Sequence, residues 1–483
     1  MTASAGKPGA GILVSVAGKV GVQAVNLLCL AILARILAPD SFGLIAMVMA
    51  VVGIGMLFKD MGIGVAIVYA KSPSPEQLNA LFWISAALGA VVSLIVFLVA
   101  PLVAALYSDA RLLDLTRALS VTFLLTGLAV QPLAILRRAL RFDRLAVISI
   151  AASLIGQVAA IVAALNGWGY WALVLAALVT PLVTLVMALA MSGVRISAPV
   201  RVAQLGGTLK FAGQTVVFAL LGFAALNAHN LILGLHADAA AVGLYHRAFV
   251  LLALLVNQFA DPLALVATAE LSRLRDRLAA YRDYYLDTVS LFLAYAALVA
   301  AGLFVCADDI VAVLLGPNWE ACAPLLRIFA IGIVPQVLCV STGWLYLSNG
   351  DMRGMMWWGL GGWGGLTLMI AAAAPFGMES MALAYAGGMF VLLLPCLGLA
   401  FRKLGLSVGS ALLRALPSTA AAVIAAGAAY ALQPMLGDWP VVARLLSSLL
   451  LVTIVYAALM LLVFGQGRIL ALVVPKILKK KLA

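Results

Sequence analysis

Four polar side chains, Ser15, Lys19, Gln23 and Asn26, recur at helical spacing in a stretch that is otherwise mostly Val, Leu, Ile and Ala. At about 100° per residue they fall within about 80° of one another on one helical face. Lys19 brings a fixed positive charge suited to an anion, and Gln23 and Asn26 bring amides suited to hydroxyls or water. A lone ammonium at the centre of a membrane helix costs at least ~2.5–3.5 kcal/mol. Such a stripe is therefore expected to face protein or a watery cavity rather than lipid. Arg35 closes the same stretch, and Arg247 is expected near the same rim. Guanidinium groups suit phosphate, and interfacial snorkelling explains both arginines equally well.

Asn257 and Asp261 share a second helical face, beside Pro262. An intramembrane carboxylate is a functional candidate by default. It suits a coupling cation or a lysine across a cavity, and a structural ion pair fits it equally. His229, His236 and His246 cluster near one end of two adjacent spans. Protonation of His229 suits ion coupling, and ordinary polar packing is the competing reading. No further ligands stand at zinc spacing. Asp308-Asp309 reads as a solvated pair. Gly11 to Lys19 only superficially resembles a phosphate-binding loop, because the spacing is wrong and Val20 stands where Ser or Thr belongs. These residues imply no catalytic centre, metal or cofactor.

The elements that must carry these groups are membrane spans. The 483 residues are 65% hydrophobic and 10% charged, with mean hydropathy +1.17. A soluble domain is nearer half apolar and a quarter charged. The net charge of +12 reads as a topology signal rather than a nucleic-acid surface. The five cysteines, Cys29, Cys306, Cys322, Cys339 and Cys396, fit no redox or metal motif. Cys306 and Cys322 flank one loop, where a bridge is conceivable. The apolar run after Lys7 exceeds the ~7–15 residues of a signal h-region, so the first helix is expected to stay as an uncleaved span.

Fourteen spans follow from apolar runs and their breaks. They begin with Ile12–Ala38 and Phe42–Val68, the latter holding Lys59-Asp60, and end with Leu412–Leu432 and Val441–Phe464. The tenth is placed at Pro324–Leu347, and an amphipathic surface helix is expected within Glu270–Asp287, from the spacing of Leu271, Leu274, Leu278 and Tyr281. With both termini cytoplasmic, 22 of the 30 Lys and Arg fall inside, as the positive-inside rule requires. Trp83, Trp168, Trp171, Trp319, Trp357 and Trp439 fall at span ends, as interfacial aromatics do. A faint repeat pairs Ala17-Gly18-Lys19 with Ala212-Gly213-Gln214, and Phe42-Gly43-Leu44 with Val242-Gly243-Leu244. Six spans separate the copies, which implies two parallel six-helix bundles with a site between them.

Several stretches together resemble the polysaccharide exporters of the multidrug/oligosaccharidyl-lipid/polysaccharide superfamily. They are Ala34-Arg-Ile-Leu-Ala-Pro-Asp-Ser-Phe-Gly43, Arg137-Arg-Ala-Leu-Arg-Phe142, Gly167-Trp-Gly-Tyr-Trp-Ala-Leu-Val174, Gly243-Leu-Tyr-His-Arg-Ala248 and Gly316-Pro-Asn-Trp-Glu-Ala-Cys-Ala-Pro-Leu-Leu326. The resemblance implies an all-α polytopic membrane protein of about fourteen transmembrane helices. Two pseudo-symmetric six-helix bundles, 1–203 and 204–405, would surround a central cavity, with two more spans and a basic tail in 406–483. It implies flipping of an undecaprenyl-pyrophosphate-linked oligosaccharide across a bacterial inner membrane by alternating access. Partners would be that lipid-linked oligosaccharide, anionic membrane lipids, and a polysaccharide polymerase with its assembly proteins. A drug/cation antiporter of the same superfamily and a non-transporting scaffold are the alternatives. An antiporter would favour buried acids over bases in the first bundle.

Overall fold

The computed structural model describes residues 8–58, 64, 67, 74–194, 197–198, 229–402 and 404–465; side chains within 8–20 and 54–58 lie outside that description. The expectations for Lys59-Asp60, for most of the seventh span and for the basic tail also fall outside it. Among the described residues every regular element is helical. Among the described residues ten helices are long and apolar enough to cross a membrane, and a bent pair makes an eleventh. With the shorter apolar stretches Gly21–Ile36 and Pro39–Gly53, the chain is an all-α, multi-pass membrane protein of about fourteen helices.

The chain divides into two compact units, Met1–Gly243 and Leu244–Ala483. The first holds α1 (Pro8–Ile36), α2 (Pro39–Phe58), α3 (Pro75–Tyr107), α4 (Arg111–Arg138), α5 (Phe142–Leu165) and α6 (Trp171–Ser192). Helix α1 stops short of Pro39, because the residue before a proline disfavours helical backbone. Pro39 then opens α2, where its missing N–H costs nothing. Helix α3 starts on a reciprocal cap. Gln77 N–H donates to Ser74 Oγ at 3.2 Å, and Ser74 N–H donates to Gln77 Oε1 at 3.0 Å. Glycines let α3 and α4 cross closely. A methyl on Gly89 would lie 2.7 Å from the Phe123 carbonyl oxygen, and one on Gly127 would lie 2.7 Å from that of Ser85. The repeat glycines Gly43 and Gly243 also meet within this unit: a side chain on either would strike the backbone of Ala239 or Pro39.

The second unit holds most of α7 (Ala239–Leu274), then α8 (Leu278–Leu314), α9 (Cys322–Ile331), α10 (Ile333–Asn349), α11 (Met352–Phe376), α12 (Met378–Arg402), α13 (Val408–Leu432) and α14 (Val441–Ala458). Helix α8 is its hub. Tyr281 and Tyr285 hydroxyls pair with Ser348 and Ser341 of α10 at 2.7 and 2.9 Å. The last two spans are tied to α8 along its length. Arg414 pairs with Asp287 at 3.0 Å, and Arg444 with Asp309 at 2.8 Å. Between these pairs, Tyr456 O–H donates to the Ala294 carbonyl at 2.9 Å.

Five expectations change. The tenth span is broken into α9 and α10 with a 55° bend. Pro335 cannot donate to the carbonyl four residues earlier, and Gly332 at the break lies against Ala386. The surface helix within Glu270–Asp287 does not form as a separate element; α7 runs to Leu274, and α8 starts at Leu278. Only part of the apolar face packs on protein: Leu271 and Tyr281 are buried, Leu274 is half-buried and Leu278 stays exposed, and the Tyr281 hydroxyl is held by Ser348 and Asn349. Asp309 is buried at 2% exposure against Arg444 and so departs from the solvated pair expected, whereas Asp308 stays exposed and pairs with Arg327. Trp319 is fully buried, whereas the other five tryptophans named above are exposed. All five cysteines are free thiols, and Cys322 donates to the Leu244 carbonyl instead of bridging to Cys306.

Candidate functional site

Helix α1 packs on α5, and that contact decides where its polar stripe points. The Ser153 hydroxyl donates to Asn26 Oδ1 at 2.8 Å, and Gln157 Nε2 donates to the same oxygen at 3.3 Å. Ser153 and Gln157 stand one turn apart on α5, whose sequence around them is largely Ala, Ile, Val and Leu. Two donors on Oδ1 turn the Asn26 amide nitrogen the other way. Among the described residues its N–H groups meet no acceptor, which suits them to a hydroxyl or phosphate oxygen. Gln23, one turn earlier, is half-buried. Lys19 lies about 10 Å along the axis from Asn26; its backbone belongs to α1, and its side chain is outside the described residues. Arg35 is exposed in the last turn of α1.

Where α3 turns into α4, a charge cluster ties α2 to α4. Arg111 reaches Asp40 at 3.1 Å and Asp109 at 2.8 Å. The hydrogen bonds from Arg111 hold the Asp109 carboxyl below the usual carboxylate range.

In the second unit, α7 carries Arg247, half-buried, and Asn257 and Asp261, both exposed. The last two stand about 6 Å apart along the axis. Asp261 forms no ion pair among the described residues. Tyr295 of α8 braces this segment: its hydroxyl donates to the Leu255 carbonyl at 2.6 Å, and its ring stacks on Phe259 with centroids 4.4 Å apart. The three histidines fall on both sides of the boundary between the units. His229, buried, and His236 belong to the first, and His246, half-buried, to the second. His236 Nδ1 engages the Ile232 carbonyl at 2.9 Å.

Sequence reasoning missed Ser153 and Gln157. Their signal was available: two polar residues at i and i+4 on an apolar span, the same pattern that singled out α1.

A family model described as "Polysaccharide biosynthesis protein" matches residues 32–324. Over 315 residues the chain is 24% identical to the lipopolysaccharide biosynthesis protein WzxC of Escherichia coli (strain K12), covering 63% of each. It is 22% identical over 315 residues to the teichuronic acid biosynthesis protein TuaB of Bacillus subtilis (strain 168), covering 62% of this chain and 63% of the other. The chain thus spans just under two thirds of the length of these relatives. Its fold is similar to that of a lipid II flippase, MurJ, in an inward closed conformation, with TM-score 0.72 and 12% identity over 93% of this chain and 98% of that one. It is also similar to an inward-facing multidrug resistance transporter of the MATE family, with TM-score 0.64 and 14% identity over 80% and 94%.

Proposed function

This chain belongs to the polysaccharide biosynthesis protein family, and from that premise we propose that it flips an undecaprenyl-pyrophosphate-linked oligosaccharide across a bacterial inner membrane by alternating access. The match over residues 32–324 carries this reading. The relatives' names, concerned with lipopolysaccharide and teichuronic acid biosynthesis, support a polysaccharide repeat unit as cargo. The protein acts as a transporter and not as an enzyme. Both termini are cytoplasmic, and 1–203 and 204–405 serve as the two lobes, with 406–483 as an addition. A polymerase and its assembly proteins take up the flipped unit.

The chemistry asked of the chain is to hold an anionic headgroup and a polar sugar inside an apolar membrane. Lys19 supplies the charge for pyrophosphate, since a charge in a partly desolvated cavity acts on phosphate more strongly than in bulk water. Gln23 and Asn26 meet sugar hydroxyls or water, and the Asn26 amide is oriented for this by Ser153 and Gln157. Arg35 and Arg247 guide the anion at the rim, Asn257 adds a sugar contact, and Asp261 with His229 couples transport to an ion gradient.

The test is a charge series at Lys19, scored by surface polysaccharide and by membrane protein level. Lys19→Ala should lower export at normal abundance, Lys19→Arg should retain part of it, and Lys19→Glu should be worst. Normal export from well-expressed Lys19→Glu would remove an anionic cargo from this position.

A further inference from the structure

One arginine inside a span has no assigned task. Arg117 stands about 9 Å along α4 from Arg111, half-buried. Its guanidinium carbon lies over the Phe97 ring of α3, 5.2 Å from the centroid. Among the described residues its buried Nε meets no hydrogen-bond acceptor and Arg117 enters no ion pair. Asp114, one turn earlier, is exposed and does not engage it. The contrast with Arg111 on the same helix is direct, because Arg111 holds two carboxylates.

The surroundings identify what supplies the missing anion. Phe97 belongs to the broad exposed apolar face of α3, with Leu94, Leu98 and Leu102. Val121, one turn beyond Arg117 on α4, is exposed as well. Such a surface is solvated by lipid chains rather than by an aqueous cavity. A guanidinium seated on a ring keeps its charge and presents the edge of its planar fork, which suits phosphate oxygens. A long basic side chain this far into a span also reaches the headgroup level by snorkelling.

We propose that the α3–α4 seam binds the phosphate of an anionic phospholipid, held by Arg117 on its Phe97 platform. On the orientation proposed above, this lipid comes from the outer leaflet. The seat itself does not depend on which cargo is flipped, so it stands or falls separately from the flippase reading.

The test uses the full-length protein in detergent, titrated with phosphatidylglycerol or phosphatidylcholine and read by native mass spectrometry and thermal stabilisation. Wild type should bind phosphatidylglycerol in preference to phosphatidylcholine. Arg117→Gln should weaken phosphatidylglycerol binding by about fivefold and lose the stabilisation, the scale of one basic residue at a membrane surface. Arg117→Lys should keep part of it, and Arg111→Gln should leave it unchanged. Phe97→Leu keeps an apolar side chain but removes the ring; it should weaken the preference, and it carries the test if Arg117→Gln does not fold. Equal binding of the two lipids by wild type, or unaltered phosphatidylglycerol binding by folded Arg117→Gln or by Phe97→Leu, would overturn the proposal.

Discussion

Removing Arg444 should cost far more stability than neutralising its partner. Asp309 is 3% exposed in its side chain and Arg444 is 27% exposed, and two guanidinium nitrogens converge on one carboxylate oxygen. Arg444→Gln leaves a buried carboxylate without its charge partner. Breaking a buried pair this way costs ~3–5 kcal/mol, and the partial exposure of Arg444 places this case near the lower end, about 3 kcal/mol. At about 1 °C per kcal/mol for a chain of this length, the melting temperature should fall by about 3 °C. Asp309→Asn keeps a neutral acceptor and leaves an arginine one turn from the start of α14, able to extend toward water; the loss should be about 1–1.5 kcal/mol. Replacing both with apolar residues, Asp309→Leu with Arg444→Met, should recover most of the Arg444→Gln loss, because no charge is then stranded. Thermal unfolding of the purified, detergent-solubilised variants measures all three. If Arg444→Gln melts with wild type, or Asp309→Asn loses more than Arg444→Gln, the buried pair does not anchor α14 to α8 as described.

Gly89→Ala should destabilise the first unit by about 1–3 kcal/mol through overpacking at the α3–α4 crossing, whereas Gly387→Ala should be near neutral because nothing lies within reach of its added methyl; parallel melting curves compare them. Asn26→Leu should cost about 1–3 kcal/mol by leaving the donors of Ser153 and Gln157 without their acceptor, and export should fall with it in a surface-polysaccharide assay. Because Asp109 is held below its ordinary value by Arg111, the stability it contributes is present above the ordinary carboxylate pKa of about 3.9 and is lost as pH falls through the lower folded value. Asp109→Asn should flatten that part of an acid titration, modestly since Arg111 is 43% exposed in its side chain.

The spans were legible because each is an apolar run long enough to cross a bilayer, punctuated by breakers such as Pro39 and the Ser74-Pro75 cap. What the runs conceal is what happens inside them. Hydropathy continues unbroken through Ile331, Gly332 and Ile333, so the bend depended on one missing N–H at Pro335 and one close approach to Ala386. The helical spacing of Leu271 to Tyr281 was real, but it ran across the ends of two helices, where Leu271 and Tyr281 pack on protein and Leu278 stays exposed. Asp309 looked solvated because its partner comes 135 residues later. The stripe on α1 was legible as polar, whereas the donors to Asn26 required knowing that α5 is its neighbour.

Flipping itself is measured most directly by asking which leaflet holds the lipid-linked repeat unit when this protein is depleted and the glycosyltransferases still run. The unit should accumulate on the cytoplasmic leaflet, inaccessible to periplasmic probes, while surface polysaccharide disappears; restoring the wild-type chain should move it outward. Normal amounts of the lipid-linked unit on the outer leaflet of depleted cells would contradict the assignment.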